Sequence, residues 1–292
     1  MDLDCISVNT SCISSSKCGG VLKRAVYPQS IGELEYFSKR YATDEYVILG
    51  AMTNTIMLDG YCGIGVFSDL MRGISVNGNY ITAKSGESLS KVCGVAQYSG
   101  LSGLENLFGI PGSVGGAVAG NSGCFGTEIS DVIDSVTVFK LDTGETEILT
   151  RDEIAFGYRY CNLRKDKDFI VSVKFELFPS NCMRIAQRMA YVREMRKEKQ
   201  PSGKSLGSYF KQHNGVSAGY YIEKAGLKGY SENGISVSSK HANFIMNNGG
   251  NAEEYIALAE YVRKKVTEET GVKLEREVNI IGEEGRQRDC YK

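Results

Sequence analysis

The chain has 292 residues, and by length alone that is enough for two or three hydrophobic cores. Hydrophobic residues at 42%, charged residues at 24% and only 4 prolines exclude a disordered or collagen-like chain. With 34 basic and 35 acidic residues the net charge is -1, so no global field exists to hold a phosphate backbone or an anionic membrane, and neither nucleic acid nor a membrane is expected as a partner.

The opening MDLDCISVNT is acidic and lacks an apolar core, and no stretch approaches the roughly 18 apolar residues that a bilayer span requires. A cytoplasmic protein is expected. The odd set of cysteines at 5, 12, 18, 62, 93, 124, 161, 182 and 290 reads as reduced thiols. No pair has CxxC spacing and there are only two histidines, so no metal centre is expected.

Short strands separated by turns are predicted at 46–49, 64–67 and 80–84. Helices are predicted over 30–41, opened by a Ser30 and Glu33 pair that resembles a capping box, and over 87–98, where apolar residues recur at three- and four-residue spacing. Residues 131–150 alternate around Asp142, Thr143 and Gly144 and read as a hairpin, and 168–178 reads as a further strand. After Pro179 the pattern turns helical, with Met183, Ala186, Met189, Ala190 and Met195 read as one side, and a domain boundary is placed near 180. Beyond it come a helix near 217–225, a strand at 242–246, an amphipathic helix at 252–269 and a final strand over 274–282.

The most informative segment is 100–126, GLSGLENLFGIPGSVGGAVAGNSGCFG. Backbone without side chains allows close approach to a flat or anionic ligand. Gly109, Gly112, Gly115 and Gly116 bracket Pro111 and Ser113, and Ala117 to Ala119 could open a short helix whose first amides face a phosphate. The segment is not a strand followed by GxGxxG, which disfavours a Rossmann fold. A second loop, LGAMTNT at 49–55, supplies Gly50, Thr53 and Asn54, small donors suited to pyrophosphate oxygens. Tight packing alone is the competing reading of both loops.

The segments GLENLFGIPGSVGGAVAGNSGCFG, FGYRYC at 156–161, GSYFK at 207–211, AGLKGY with SSKHANFIMN, and LEREVNIIG at 274–282 resemble, in order and over nearly the whole chain, the UDP-N-acetylenolpyruvoylglucosamine reductase (MurB) family, in its shorter, type II branch. That resemblance implies an α+β fold. A vanillyl-alcohol-oxidase-like (PCMH-type) FAD-binding domain of two subdomains would span 1–180, split near 75–80, and a C-terminal α+β substrate domain would span 181–292. It implies non-covalent FAD, NADPH as co-substrate, and reduction of UDP-N-acetylglucosamine enolpyruvate to UDP-N-acetylmuramate for peptidoglycan, by a monomer or weak homo-oligomer.

The resemblance further implies a catalytic trio. Arg159 would pair with the substrate carboxylate, Glu277 would assist on the same group, and Ser208 would deliver a proton to the substrate C2. FAD would be bound by Gly50, Thr53, Asn54, Gly109, Pro111, Gly112, Ser113, Gly115, Gly116, Ala117, Asn121 and Gly126. Lys199, Lys211, Gln212 and Tyr158 would contact the sugar nucleotide, whereas His241 reads as structural. Two departures stand out. Met52 stands where the family's LGxGSN loop has glycine, so if that glycine takes positive φ, either Met52 is strained or the loop follows another path; Lys211, Gln212 and His213 stand where the family has KNP. A flavin oxidase of the same superfamily and a non-catalytic UDP-sugar-binding paralogue stay open as alternatives.

Overall fold

The computed structural model describes residues 3–164 and 167–282, and the chain divides into two units, neither of them continuous in sequence. Unit 1 comprises 1–6, 24–51 and 63–196; unit 2 comprises 7–23, 52–62 and 197–292. The α-helices are α1 (Thr10–Ile13), α2 (Ile31–Arg40), α3 (Leu89–Tyr98), α4 (Val114–Ala119), α5 (Cys182–Lys199), α6 (Ala218–Lys224) and α7 (Ala252–Thr270). None of these described helices is long and apolar enough to cross a membrane.

In unit 1 the strand Ile64–Phe67 lies between Val21–Val26 and Tyr46–Leu49, parallel to both. Every residue of that central strand is buried, as a parallel strand covered on both faces requires. Ser30 caps α2 by accepting the Glu33 amide at 3.3 Å, while the Glu33 carboxylate reaches back to the Gln29 amide at 2.7 Å. Leu34 and Phe37 of α2 join Val26, Ile64 and Val66 in one core.

A five-stranded antiparallel sheet forms the rest of unit 1, in the order Glu145–Thr150, Ile133–Lys140, Asp168–Glu176, Tyr80–Lys84, Ile74–Asn77. Leu89, Val92, Cys93 and Ala96, spaced three and four apart, turn one face of α3 into its core. Ile185 and Met189 of α5 complete that core, which places the change of unit at Arg196 and Lys197, one helix later than the boundary expected near 180. The predicted stripe on this helix is also revised. Ile185, Met189 and Val192 are its buried residues, whereas Met183 is 72% exposed, because the inward line is set by the 185, 189, 192 spacing.

Unit 2 is organised around α7. Asn251 and Glu254 form its capping box, Gly271 ends it at φ 72°, and Tyr255, Leu258, Ala259, Val262 and Val266 point into the core. A sheet of Ser231–Glu232, Ile235–Val237 and Ile245–Asn247 packs with it. The last strand is regular only over Asn279–Ile281, where it runs parallel to Thr55–Met57. The predicted strand at 242–246 starts late for a local reason: the Phe244 amide turns back to the His241 carbonyl at 2.9 Å, so pairing begins at Ile245.

Candidate active site

In unit 1 the glycine-rich segment meets the Gly50 loop. A Cβ on Gly50 would lie 2.8 Å from Ser113 Oγ, and one on Gly115 would lie 2.8 Å from Ser85 Cβ, so glycine is needed at both positions for close backbone approach. Pro111 is exposed, Gly112 has φ 134°, and Ser113 caps α4 by accepting the Gly116 amide at 3.3 Å. Gly109 and Gly126 occupy turns with φ of 80°.

The helix starts at Val114, earlier than expected, and its first amides are already committed. Val114 donates to Glu87 O at 2.8 Å, Gly115 to Ser85 O at 2.8 Å and Ala117 to Ser113 O at 2.9 Å. These α4 amides are spent inside the protein, so the expectation that they face a phosphate is not met. Glu87, whose main chain anchors α4, has a buried carboxylate. Burial raises its pKa, but bonds from Lys91 Nζ (2.9 Å) and the Gly73 amide (2.8 Å) outweigh that and hold it below the ordinary carboxylate value.

Ser85, whose Cβ faces Gly115, is fully buried, and its Oγ has no hydrogen-bond partner among the described residues. The exposed, side-chain-free backbone at Gly116, next to the packed Gly115, fits close approach of FAD.

Arg159 sits at the tip of a two-residue hairpin, Phe156–Gly157 paired with Tyr160–Cys161, at φ 52°. Its guanidinium lies over the Tyr158 ring, 4.9 Å from the centroid, and donates to Gly123 O at 3.0 Å and Asn121 O at 3.4 Å. Glu128 Oε1 is 3.9 Å from the same group. Tyr158 is 41% exposed, which makes it a wall beside the guanidinium and not a core residue. Asn121 is wholly buried at φ 40°.

In unit 2 Ser208 and Glu277 stand on neighbouring extended segments. The Glu277 amide donates to Tyr209 O at 2.8 Å, and Phe210 bridges Arg276. Asn54 Nδ2 donates to Glu277 O at 3.2 Å, so this carboxamide fixes the glutamate's main chain. Asn243, buried in SKHANF, clamps the other side: its Oδ1 accepts the Phe210 amide at 3.0 Å, its Nδ2 donates to Phe210 O at 2.8 Å, and its carbonyl accepts the Tyr209 amide at 2.8 Å. Ser208 Oγ is half-buried and makes no hydrogen bond among the described residues.

Lys211 forms an ion pair with Glu275 and its amide donates to Glu275 O at 2.8 Å. Lys199 is exposed at the end of α5, Gln212 is exposed, and Thr53 is half-buried beside Met52. Met52 has φ 51° and is 3% exposed, with its carbonyl accepting the Ser15 amide at 3.2 Å. Met52 thus takes the left-handed conformation that glycine favours while carrying a buried side chain. His241 is structural: its Nδ1 accepts the Asn243 amide at 3.3 Å, its ring meets Phe244 edge-on at 4.9 Å, and burial lowers its pKa.

A family model described as UDP-N-acetylenolpyruvoylglucosamine reductase, C-terminal domain, matches residues 198–281, and one described as FAD binding domain matches 23–150. UDP-N-acetylenolpyruvoylglucosamine reductases of Streptococcus pneumoniae strains CGSP14 and JJA are each 40% identical over 276 residues, covering 92% of this chain and 91% of theirs. The crystal structure of the reductase (MurB) from Thermus caldophilus superimposes with a TM-score of 0.84 at 29% identity, covering 96% of this chain and 100% of that one. With two-fifths of its residues shared over nearly its full length and the same fold throughout, the chain belongs to the UDP-N-acetylenolpyruvoylglucosamine reductase (MurB) family.

Proposed function

We propose that this protein reduces UDP-N-acetylglucosamine enolpyruvate to UDP-N-acetylmuramate, a peptidoglycan precursor, with FAD as prosthetic group and NADPH as the source of reducing equivalents, in the cytoplasm. The observation that carries this reading is the near full-length likeness to proteins named for that reduction, with Arg159, Ser208 and Glu277 present together. Bound FAD supplies the chemistry of a two-electron carrier between the nicotinamide and the enol ether.

The chain's own residues account for the rest. Arg159 offers a charge-assisted, planar donor to the substrate carboxylate and stabilises negative charge that develops next to it during reduction. The Asn121 and Gly123 carbonyls, which the guanidinium bonds at 3.4 and 3.0 Å, help to hold it in place. Ser208 Oγ donates the proton to C2, and its hydroxyl is not committed to another described residue. Glu277, fixed through its main chain from both sides, assists at the carboxylate. Exposed Lys199 and Gln212, with Lys211 once it leaves Glu275, supply cationic and amide donors to the nucleotide.

Ser208→Ala tests the assignment. Reduction of bound FAD by NADPH should proceed at close to the wild-type rate, while reoxidation by the sugar nucleotide slows by roughly 100-fold or more, as loss of a positioned proton donor predicts. Equal loss in both half-reactions, followed anaerobically by flavin absorbance, would show the serine to be misassigned.

A further inference from the structure

The geometry points to Asn121 as a positioning residue for Arg159, so that its side chain serves the guanidinium and not the cofactor. This rests on the catalytic reading of Arg159 given above. Arg159 occupies the second central position of a tight hairpin turn at φ 52°, a conformation that glycine or asparagine normally supplies. A non-glycine residue kept in that region is over-determined by its surroundings, and such outliers concentrate at functional sites.

Asn121 provides that over-determination from both ends of the arginine. At the base of the turn, its Nδ2 donates to Gly157 O at 3.0 Å, two residues before Arg159. At the tip, its own carbonyl accepts from the Arg159 guanidinium at 3.4 Å. The same Nδ2 donates to Glu128 Oε2 at 2.7 Å, and this aims the other carboxylate oxygen at the guanidinium, 3.9 Å away. The Asn121 Oδ1 accepts the Ser130 amide at 3.3 Å.

Both of the carboxamide's donor hydrogens are therefore engaged within unit 1, and donation from this side chain to a cofactor would break one of those two bonds. The residue is wholly buried, and its φ of 40° is one that asparagine tolerates and most residues do not. Its carbonyl, with Gly123 O and Glu128, lines an acceptor pocket for the guanidinium.

The test uses the holoenzyme with Asn121→Gly, which keeps the backbone conformation, and Asn121→Asp, which keeps the shape and loses the donors. Both should retain FAD by visible absorbance and accept electrons from NADPH within about twofold of wild type. Reoxidation by the sugar nucleotide should slow by roughly 10- to 100-fold, the usual consequence of misplacing a catalytic group by about an ångström. Binding of the sugar nucleotide to the oxidised holoenzyme, read from the perturbed flavin spectrum, should weaken in parallel.

A second measurement holds even if one variant folds poorly. Methylguanidinium should restore part of the reoxidation rate to Arg159→Ala, whose acceptor pocket is intact, and none to Arg159→Ala combined with whichever of Asn121→Gly and Asn121→Asp still binds FAD and is reduced by NADPH. Wild-type reoxidation in both single Asn121 variants, loss of FAD or of NADPH reduction in them, or equal rescue in the double variant would each overturn the proposal. If Arg159→Ala itself reoxidises at the wild-type rate, the catalytic reading of Arg159 fails, which is a distinct outcome from a fast Asn121 variant beside a slow Arg159→Ala.

Discussion

Met52 shows how one residue balances two opposing terms. Its φ of 51° costs a side chain with a Cβ about 1–2 kcal/mol, which a glycine would recover. At 3% exposure, however, the thioether side chain is almost fully buried, and deleting a buried methionine costs about 2–5 kcal/mol. The second term is larger. Met52→Gly, although it restores the family's residue, is expected to lower stability by about 1–3 kcal/mol, seen as a lower urea midpoint with an unchanged slope. A higher midpoint would mean that strain outweighs burial. Positive φ was one of the two backbone outcomes left open by the departure at position 52, which was readable in LGAMTN. The left-handed φ of Arg159 was not, because FGYR carries neither glycine nor asparagine at the turn's second position and the cause lies 38 residues away in Asn121.

On the scale of single elements, α4 separates glycines that pack from glycines that leave room. A Cβ on Gly115 would sit 2.8 Å from Ser85 Cβ, whereas one on Gly116 would come no closer than 3.3 Å, to the Ser113 hydroxyl, and Gly116 is exposed. Both substitutions to alanine gain helix propensity of about 1 kcal/mol, so the pair cancels that term. Overpacking at position 115 costs about 1–3 kcal/mol, and Gly115→Ala should therefore unfold at lower denaturant than Gly116→Ala by that margin in FAD-free protein. Gly116→Ala should instead show weaker FAD uptake at near-normal stability. Equal midpoints would remove the packing role assigned to Gly115. Sequence periodicity located α2, α3 and α7 to within a residue or two because their apolar faces repeat at helical spacing. It misread the inward face of α5, where methionines and alanines lie on both sides and burial selects Ile185, Met189 and Val192.

For the molecule as a whole, the feature least legible in the sequence is that the C-terminal unit is assembled from three stretches of chain. Residues 7–23 and 52–62 carry no periodicity that names their partner, since strands of three residues are defined by what they pair with. Ile56 has no exposed surface and Cys18 only 1%, and both lie in the core built around α7. Thr55–Met57 is also the strand that Asn279–Ile281 pairs with, and Asn247 Nδ2 donates to Ser16 O at 2.9 Å. A fragment of residues 181–292, the continuous domain that the sequence pattern suggests, would lose these partners and leave buried apolar area and backbone donors uncovered. Burial of one aliphatic side chain contributes about 1.5–3 kcal/mol, and a domain's net stability is about 5–15 kcal/mol, so removing Ile56, Met57 and Cys18 together consumes most of that margin. The fragment should show no cooperative thermal transition by circular dichroism. Supplying residues 1–62 as a separate chain should restore the transition, because the missing strand and core side chains are then returned, and a fragment that unfolds cooperatively alone would refute the discontinuous assembly of this unit.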